Sequence, residues 1–474
     1  MKRLLLVYLV CCVSVTSMAR QVSESVEIEI NRRVREEINP AISIGILLPS
    51  GQSQFYNYGY MQAEWGGSRP DRNTLYEIGS LTKTFTSLLA DGLLGNSLDQ
   101  PITNWLHQAV QANPALGQVT AAQLRNHMAG VPRLSAGFSP EDWSDPFNGY
   151  SDILLMQELH TLKPDTSARW SYSNFGYAIL GTILQQSSGK TFDTLMDSLF
   201  TVVGLSHTFT NHEEVDTLPL AAPTNLGIKN SHWHFTGPSR FAGALLSSTG
   251  DLVRYLHYQK ENNPLFSQEA ISELIPTGID NLGPDQLFYK DGWFVLKPGP
   301  ETEILLHNGG TGGYTSFIAY NKATNTGVVV LSNSGSLMDD VGLKLIYPDF
   351  ELKKPVRTIA YELADQIEKR EDGNLVYLYD SLMKAEYPDN VLHVYWLERY
   401  LFGKGQYKVS NQLSDIMVSV LPDDYEVMEI KGQNLEKLGK YRQAVDAYRI
   451  ALKLNPDRKI LRQRIIVCEE RAGG

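Results

Sequence analysis

The chain has 474 residues, 42% of them hydrophobic and 20% charged, and a formal net charge of -11. That length holds two or three domains with a large buried core, and the composition is an ordinary globular one. The acidity argues against a nucleic-acid partner, because a phosphate backbone is met by a basic footprint.

The first residues, MKRLLLVYLVCCVSVTSMARQ, set Lys2 and Arg3 before an apolar run and a small-x-small site at Ser17-Met18-Ala19. This predicts a secretory signal over residues 1–19 and an exported, periplasmic or extracellular protein. An uncleaved signal would instead leave a membrane anchor, and lipidation of Cys12 is a second route to one. No later segment approaches a membrane span. After cleavage Cys468 is the remaining cysteine, so no intramolecular disulfide is expected and stability rests on packing.

An amphipathic helix is expected over 22–38, followed by AISIGILLPSGQSQFYNYGYMQ, two strand-like runs joined at Pro49-Ser50-Gly51. Next comes YEIGSLTKTFTSLLADGLL at 76–94, a mostly apolar helix with Lys83 one turn after Ser80. Residues at i and i+3 share a helix face, so hydroxyl and amine can meet while Phe85, Leu88, Leu89 and Leu93 pack inward. A helix N-terminus favours developing negative charge, so the Ser80 amide can help hold an oxyanion. Desolvation would strip Lys83 of its charge and let it accept the Ser80 proton. The plain alternative is a serine N-cap with a snorkelling lysine. Ser-x-x-Lys also occurs at Ser187–Lys190 and Ser381–Lys384, but Ser187 precedes the helix-ending Gly189 and Ser381 falls in a repeat region.

In ARWSYSNFGYAILGTILQQSSGK, Tyr172 and Asn174 stand before another apolar helix. A phenol near an ammonium can lose its proton more easily or relay protons to a leaving group, and the amide can orient lysine and substrate. A buried tyrosine and a turn-forming asparagine are the alternative. His232-Trp233-His234 is a thin metal signal. It has no acidic or cysteine cluster at ligand spacing, so loop histidines and no metal are expected.

Late strands are expected in DGWFVLKPG, TEILLHNGG and YTSFIAYNKATNTGVVVLSNS. The second ends in His307-Asn308-Gly309-Gly310, and glycines inside a strand imply that another backbone or a ligand comes close. The Gly310 N–H can complete a two-donor oxyanion hole with the Ser80 amide; a flexible turn is the alternative. After YPDFELKKPVRTIA, where Pro348 and Pro355 bracket a linker at 348–356, everything reads as helix. Prolines recur at 388, 422 and 456, an interval of 34, and register Gly405 and Tyr407 on Gly439 and Tyr441. With Ala444, Tyr448 and Ala451 at packing positions, this resembles the tetratricopeptide repeat closely in the last unit, moderately in 391–424 and poorly in 357–390. Residues 459–472 would cap the array, and the whole of 357–474 would be all-α.

Ser80-x-x-Lys83, Tyr172-x-Asn174 and His307-x-Gly309, in this order, resemble the marks of the serine β-lactamase and D,D-peptidase superfamily. The resemblance covers about 22–347 and extends to LRNHMAGVP at 124–132 and SSTGDLVRYL at 247–256. His127 is expected to be structural, in a packed turn. The resemblance implies an α+β hydrolase domain over 20–347: an antiparallel sheet flanked by helices, a helical lobe, and a site in the cleft between them. It is nearest the D-alanyl-D-alanine carboxypeptidase, D-aminopeptidase and esterase branches close to class C β-lactamases. It implies Ser80 as nucleophile, Lys83 and Tyr172 moving protons and later activating water, Asn174 orienting, His307 and Gly310 completing the catalytic set, and Asn308 and Gly309 meeting substrate. Asn308 and Gly310 stand where penicillin-recognising members carry hydroxyl residues that bind a substrate carboxylate, and His307 need not be charged. An ester or amide is therefore expected over efficient β-lactam hydrolysis. No cofactor is called for, and neither a Gly-x-Ser-x-Gly elbow nor a nucleotide-binding glycine pattern is present. A different class of reading makes the chain a peptide- or protein-binding repeat module on a degenerate hydrolase scaffold, with a protein partner for the repeats.

Overall fold

The computed structural model describes residues 22–473 apart from 63–66, 136, 139, 141, 168, 284, 285, 370–372, 457 and 459. The expected signal at 1–19 lies outside the described residues. Among these residues, no helix is long and apolar enough to cross a membrane.

Apolar runs in the first and last quarters of the hydrolase-like region pair into one eight-stranded antiparallel sheet. Its strands are β1 (Ala41–Leu47), β2 (Ser53–Gly59), β3 (Ile275–Pro276), β4 (Leu287–Lys290), β5 (Trp293–Gly299), β6 (Thr302–Gly310), β7 (Thr315–Asn321) and β8 (Thr326–Ser332), in the spatial order β2-β1-β8-β7-β6-β5-β4-β3. Ile44 of β1 lies opposite Val330 of β8, which closes the N-terminal hairpin onto the late strands. Five helices matter to the site: α1 (Glu24–Arg35), α2 (Thr82–Leu94), α3 (Asn174–Ser188), α4 (Thr249–Asn262) and α5 (Asp339–Ile346).

Alternation sorts the two faces of the sheet. Ile42, Ile44, Ile304 and Leu306 point into a core with α1 and α5. On the other face Leu305 and Ile318 join a larger core with α2, α3 and α4. Phe85 of α2 stacks on Tyr255 of α4 at 4.0 Å between ring centroids, and burying such a ring contributes about 1.5–3 kcal/mol. Helix α3 is apolar all round and runs through the lobe's interior; Ser173 caps its start by accepting from Gly176 N–H, and Gly189 at φ 68° ends it. Leu93 of α2, expected inside, is 41% exposed at the helix end.

Segment 348–356 carries no helix or strand, and it is held in place. Arg33 of α1, fully buried, donates to Glu29 at 2.9 Å, to Asp340 of α5 at 2.6 Å and to the Lys353 carbonyl at 2.9 Å. Beyond it lie seven stacked helices: α6 (Ile359–Glu368), α7 (Leu375–Lys384), α8 (Val391–Gly403), α9 (Tyr407–Val420), α10 (Tyr425–Lys437), α11 (Tyr441–Leu454) and α12 (Ile460–Gly473). Gly405 and Gly439, both at φ 73°, make the equivalent sharp turns α8–α9 and α10–α11. This stack rests on the first domain: α6 shares a core with Leu226 and Ile228, and the Arg399 guanidinium of α8 lies 5.1 Å over the Trp143 ring.

Candidate active site

Ser80 sits in a 3-10 turn, Gly79–Leu81, that runs directly into α2. Because Lys83 follows one turn later on the lobe-facing side of α2, its side chain is fully buried. Lys83 Nζ stands 2.9 Å from Ser80 Oγ, donates to the Ala242 carbonyl at 2.7 Å, and lies 5.0 Å from the centroid of the Tyr172 ring. None of these partners is a carboxylate. Burial, assisted by the positive charge of Arg133, holds its pKa well below the usual lysine value. The amine is therefore set up to receive a proton.

The Tyr172 hydroxyl hydrogen-bonds with Ser80, but burial outweighs that bond and the nearby Arg133 and pushes the phenol up to about 12. This corrects the expectation that a neighbouring ammonium makes the phenol easier to ionise: burial of the phenol itself dominates, so Tyr172 keeps its proton near neutral pH and is a donor. His127 positions it. His127 takes a positive φ of 59°, its Nδ1 accepts the Ser173 N–H at 3.1 Å, its carbonyl accepts the Ser171 N–H, and its ring lies 4.5 Å from that of Tyr172. Asn174 begins α3, and its Oδ1 is buried with no partner among the described residues. Among the described residues no bond joins it to Lys83, and Asn174 lines a small pocket with Phe147, Tyr150 and Ala242.

On the sheet side, His307 is fully buried and its ring lies 6.4 Å from that of Tyr172. Burial lowers its pKa to about 3, so the ring is neutral. Nδ1–H donates to the Asn308 carbonyl at 2.7 Å and leaves Nε2 as an acceptor with no partner among the described residues. Gly309 is glycine because a Cβ there would lie 2.1 Å from the Ile78 carbonyl oxygen and 2.9 Å from the Ser80 nitrogen. The same carbonyl accepts from Ser316 Oγ at 2.8 Å, which fastens the Ser80 turn to β7. Gly79, at φ 48°, faces the Gly310 backbone so closely that a Cβ would fall 2.8 Å from the Gly310 nitrogen. The Gly79–Ser80 turn and the Gly309–Gly310 end of β6 thus lie in close backbone contact.

Two expectations for substrate contact are corrected. The Asn308 side chain points away from the cleft, donating to Asp339 of α5 at 2.6 Å, because alternation along β6 puts it on the opposite face from His307. Gly309 is filled against the Ile78–Ser80 backbone and serves close packing. The other Ser-x-x-Lys pairs stay apart from the cleft: Ser187 donates to the Leu184 carbonyl within α3, and Ser381 and Lys384 belong to α7 of the helical stack.

Three contributors escaped the sequence reading. The Ala242 carbonyl carries no side-chain signature. Arg133, exposed with its guanidinium 5.2 Å from the Tyr172 ring, sat unnoticed just after the LRNHMAGVP stretch. The third is Glu77, three residues before Ser80 and buried. One of its oxygens receives His212 at 2.9 Å, His232 at 3.1 Å and the Trp233 N–H at 3.1 Å. Burial raises this carboxyl, but the histidine bonds win and hold it down at about 2. The expectation that the 232–234 histidines lack an acidic companion at ligand distance is thereby corrected: Glu77 supplies it from 155 residues away.

The sequence matches the Beta-lactamase family over residues 38–346. Among curated relatives, the chain is 27% identical over 315 residues to penicillin-binding protein 4* of Bacillus subtilis, covering 61% of this chain and 67% of that protein. It is 26% identical over 310 residues to protein flp of Staphylococcus aureus, covering 61% of this chain and 59% of that one, so the chain spans about three fifths to two thirds of these relatives. A solved class C beta-lactamase superimposes with a TM-score of 0.57 at 20% identity, over 70% of this chain and 98% of that one, a likeness of fold. With the match running from the start of β1 to the end of α5 and enclosing every residue of the cleft, the chain belongs to the Beta-lactamase family.

Proposed function

We propose that the chain is an exported serine hydrolase that works through an acyl-enzyme on an ester or amide. The observation that carries this reading is a fully buried lysine, without a carboxylate partner, 2.9 Å from a serine hydroxyl. As Ser80 Oγ attacks the substrate carbonyl, its proton passes to neutral Lys83 Nζ. The oxyanion is met by the Ser80 and Gly310 N–H groups, each such donor contributing about 2.7–4 kcal/mol. Protonated Tyr172 gives its proton to the leaving group and is restored by the Lys83 ammonium, which returns the amine to its neutral form. Water, deprotonated by the same pair, then releases the acyl group. Asn174 Oδ1 offers an acceptor for a substrate N–H.

The test is labelling with a fluorophosphonate probe. Purified protein should label, Ser80→Ala should not, and Ser187→Ala should label as the parent does; labelling that survives Ser80→Ala defeats the proposal. For substrate class, short-chain esters and D-amino-acid amides are expected to turn over faster than nitrocefin, because neutral His307 offers no charge to a β-lactam carboxylate. A second reading, a carboxylate-bearing peptide such as one ending in D-alanyl-D-alanine, is favoured by Arg133 at the cleft rim. Raised KM for such a peptide in Arg133→Ala, with esters unaffected, would select it. The 34-residue spacing of the α8–α9 and α10–α11 turns supports a tetratricopeptide-like role for the helical stack in docking a protein partner.

A further inference from the structure

The second cluster of titratable side chains lies behind the nucleophile. Glu77 belongs to a two-residue strand, Tyr76–Glu77, paired to Leu246–Ser247, which also pairs Thr208–Phe209. That small sheet brings the loop with His212 beside Glu77, and the irregular segment 230–236 brings His232. Their ligand atoms lie within 4.8 Å of one another. Glu77 is 3% exposed, and its two oxygens are treated unequally: Oε1 collects three donors, whereas Oε2 is buried with none among the described residues. Hydrogen bonding alone leaves half of a buried carboxylate without compensation, a costly arrangement for a charged group.

We propose that Glu77, His212 and His232 form a site for a divalent cation of the zinc class. The donor set is two imidazoles and one carboxylate, with a fourth position reached through the partly exposed imidazoles, whose side chains are 14% and 33% accessible. Bonds of about 2.0–2.1 Å in tetrahedral geometry separate ligand atoms by about 3.3 Å. His212 Nε2 and His232 Nδ1 already stand 2.9 and 3.1 Å from Glu77 Oε1, and with all three ligand atoms within 4.8 Å of one another, side-chain rotation of the two imidazoles by about 1.5 Å or less brings the set to tetrahedral spacing.

The supporting shell is in place. Trp233 N–H orients the carboxylate. Thr210 and Asn211 both donate to Glu214, which holds the His212 loop, and Asn230 ties the His232 segment to the Gly312 carbonyl at 2.9 Å. Outer partners of this kind fix ligand geometry and are worth about 10- to 100-fold in metal affinity. A bound cation would brace the strand leading to Ser80 and, through Asn230 and Gly312, the turn that follows β6. It would thus clamp both backbone walls of the oxyanion site without touching substrate.

The experiment uses the full chain prepared without a histidine tag, stripped with chelator and dialysed against zinc chloride, with metal content read by mass spectrometry. About one zinc per chain and a raised Tm are expected, and His212→Ala and His232→Ala should each weaken zinc binding by at least the 10- to 100-fold seen for outer partners. Stoichiometric zinc that persists in the double variant, or none in the parent, overturns the assignment. Because these variants can lose fold, cobalt(II) is added to the parent protein as a variant-independent probe. The visible absorption of a low-coordinate nitrogen and oxygen site supports the proposal. A thiolate charge-transfer band, or only the spectrum of hexa-aqua cobalt, refutes it.

Discussion

The catalytic cleft and the helical stack both bury charged or chargeable groups, and they do so in opposite ways. In the stack, Glu398 and Arg399 are each at most 2% exposed and fully accompanied: Arg399 donates to Glu398 at 2.5 and 2.9 Å and to Gln433 at 2.9 Å, while Ser410 and Asn434 each donate to Glu398 at 2.6 Å. In the cleft, Lys83 has hydroxyl and carbonyl neighbours and no anion. A compensated pair holds helices together; burial of an amine without a counter-charge lowers its pKa and favours its proton-accepting form. The same physical cost of burial thus yields stability in one region and reactivity in the other.

Lys83→Met is the sharpest way to break this contrast, since it removes the base and keeps the shape of the buried chain. Acylation should fall about 10²- to 10⁴-fold, measured as the single-turnover rate of probe labelling. Stability should move the other way with pH. Between the depressed folded pKa and the ordinary value of 10.5, the unfolded chain binds a proton that the folded site does not. The parent therefore gains stability as pH rises through that window, by at most about 1.4 kcal/mol per pH unit. Urea midpoints of parent minus variant should show this positive slope, and parallel curves would mean that Lys83 is charged.

Glu398→Gln leaves Arg399 as a buried unpaired charge and should lower stability of the stack by about 3–5 kcal/mol in urea titration. Labelling of Ser80 should be unchanged wherever the protein is folded; a matching loss of labelling would erase the distinction between the two regions. Gly309→Ala forces a Cβ onto the Ile78 carbonyl and should displace the nucleophile's turn, with kcat falling about 100-fold, the scale of a 1 Å misplacement. Smallest is Lys190→Ala: this exposed lysine of the neighbouring Ser-x-x-Lys should leave stability within about 0.5 kcal/mol and labelling intact.

Much of this arrangement was legible before folding. Strand periodicity marked β1, β2 and β5 to β8, and the i,i+3 spacing of Ser80 and Lys83 implied their contact. Alternation along β6 also carried the information that His307 and Asn308 face opposite sides, so the expectation that Asn308 meets substrate failed by neglecting that rule rather than for want of a signal. Other features had none. The carbonyl that binds Lys83 belongs to Ala242, whose side chain is silent about it. The reversal at Tyr172 came from how deeply the phenol itself is buried, which the local sequence does not carry.

The local sequence determined the elements, their order and the chemically active types, because periodicity, capping and short-range spacing act within a few residues. Tertiary structure decided the rest: which carbonyl receives the lysine, how dry that amine is, and which carboxylate joins His212 and His232. Solvation and through-space distance set those properties, and segments more than a hundred residues apart create them only when the sheet and the lobe close on each other.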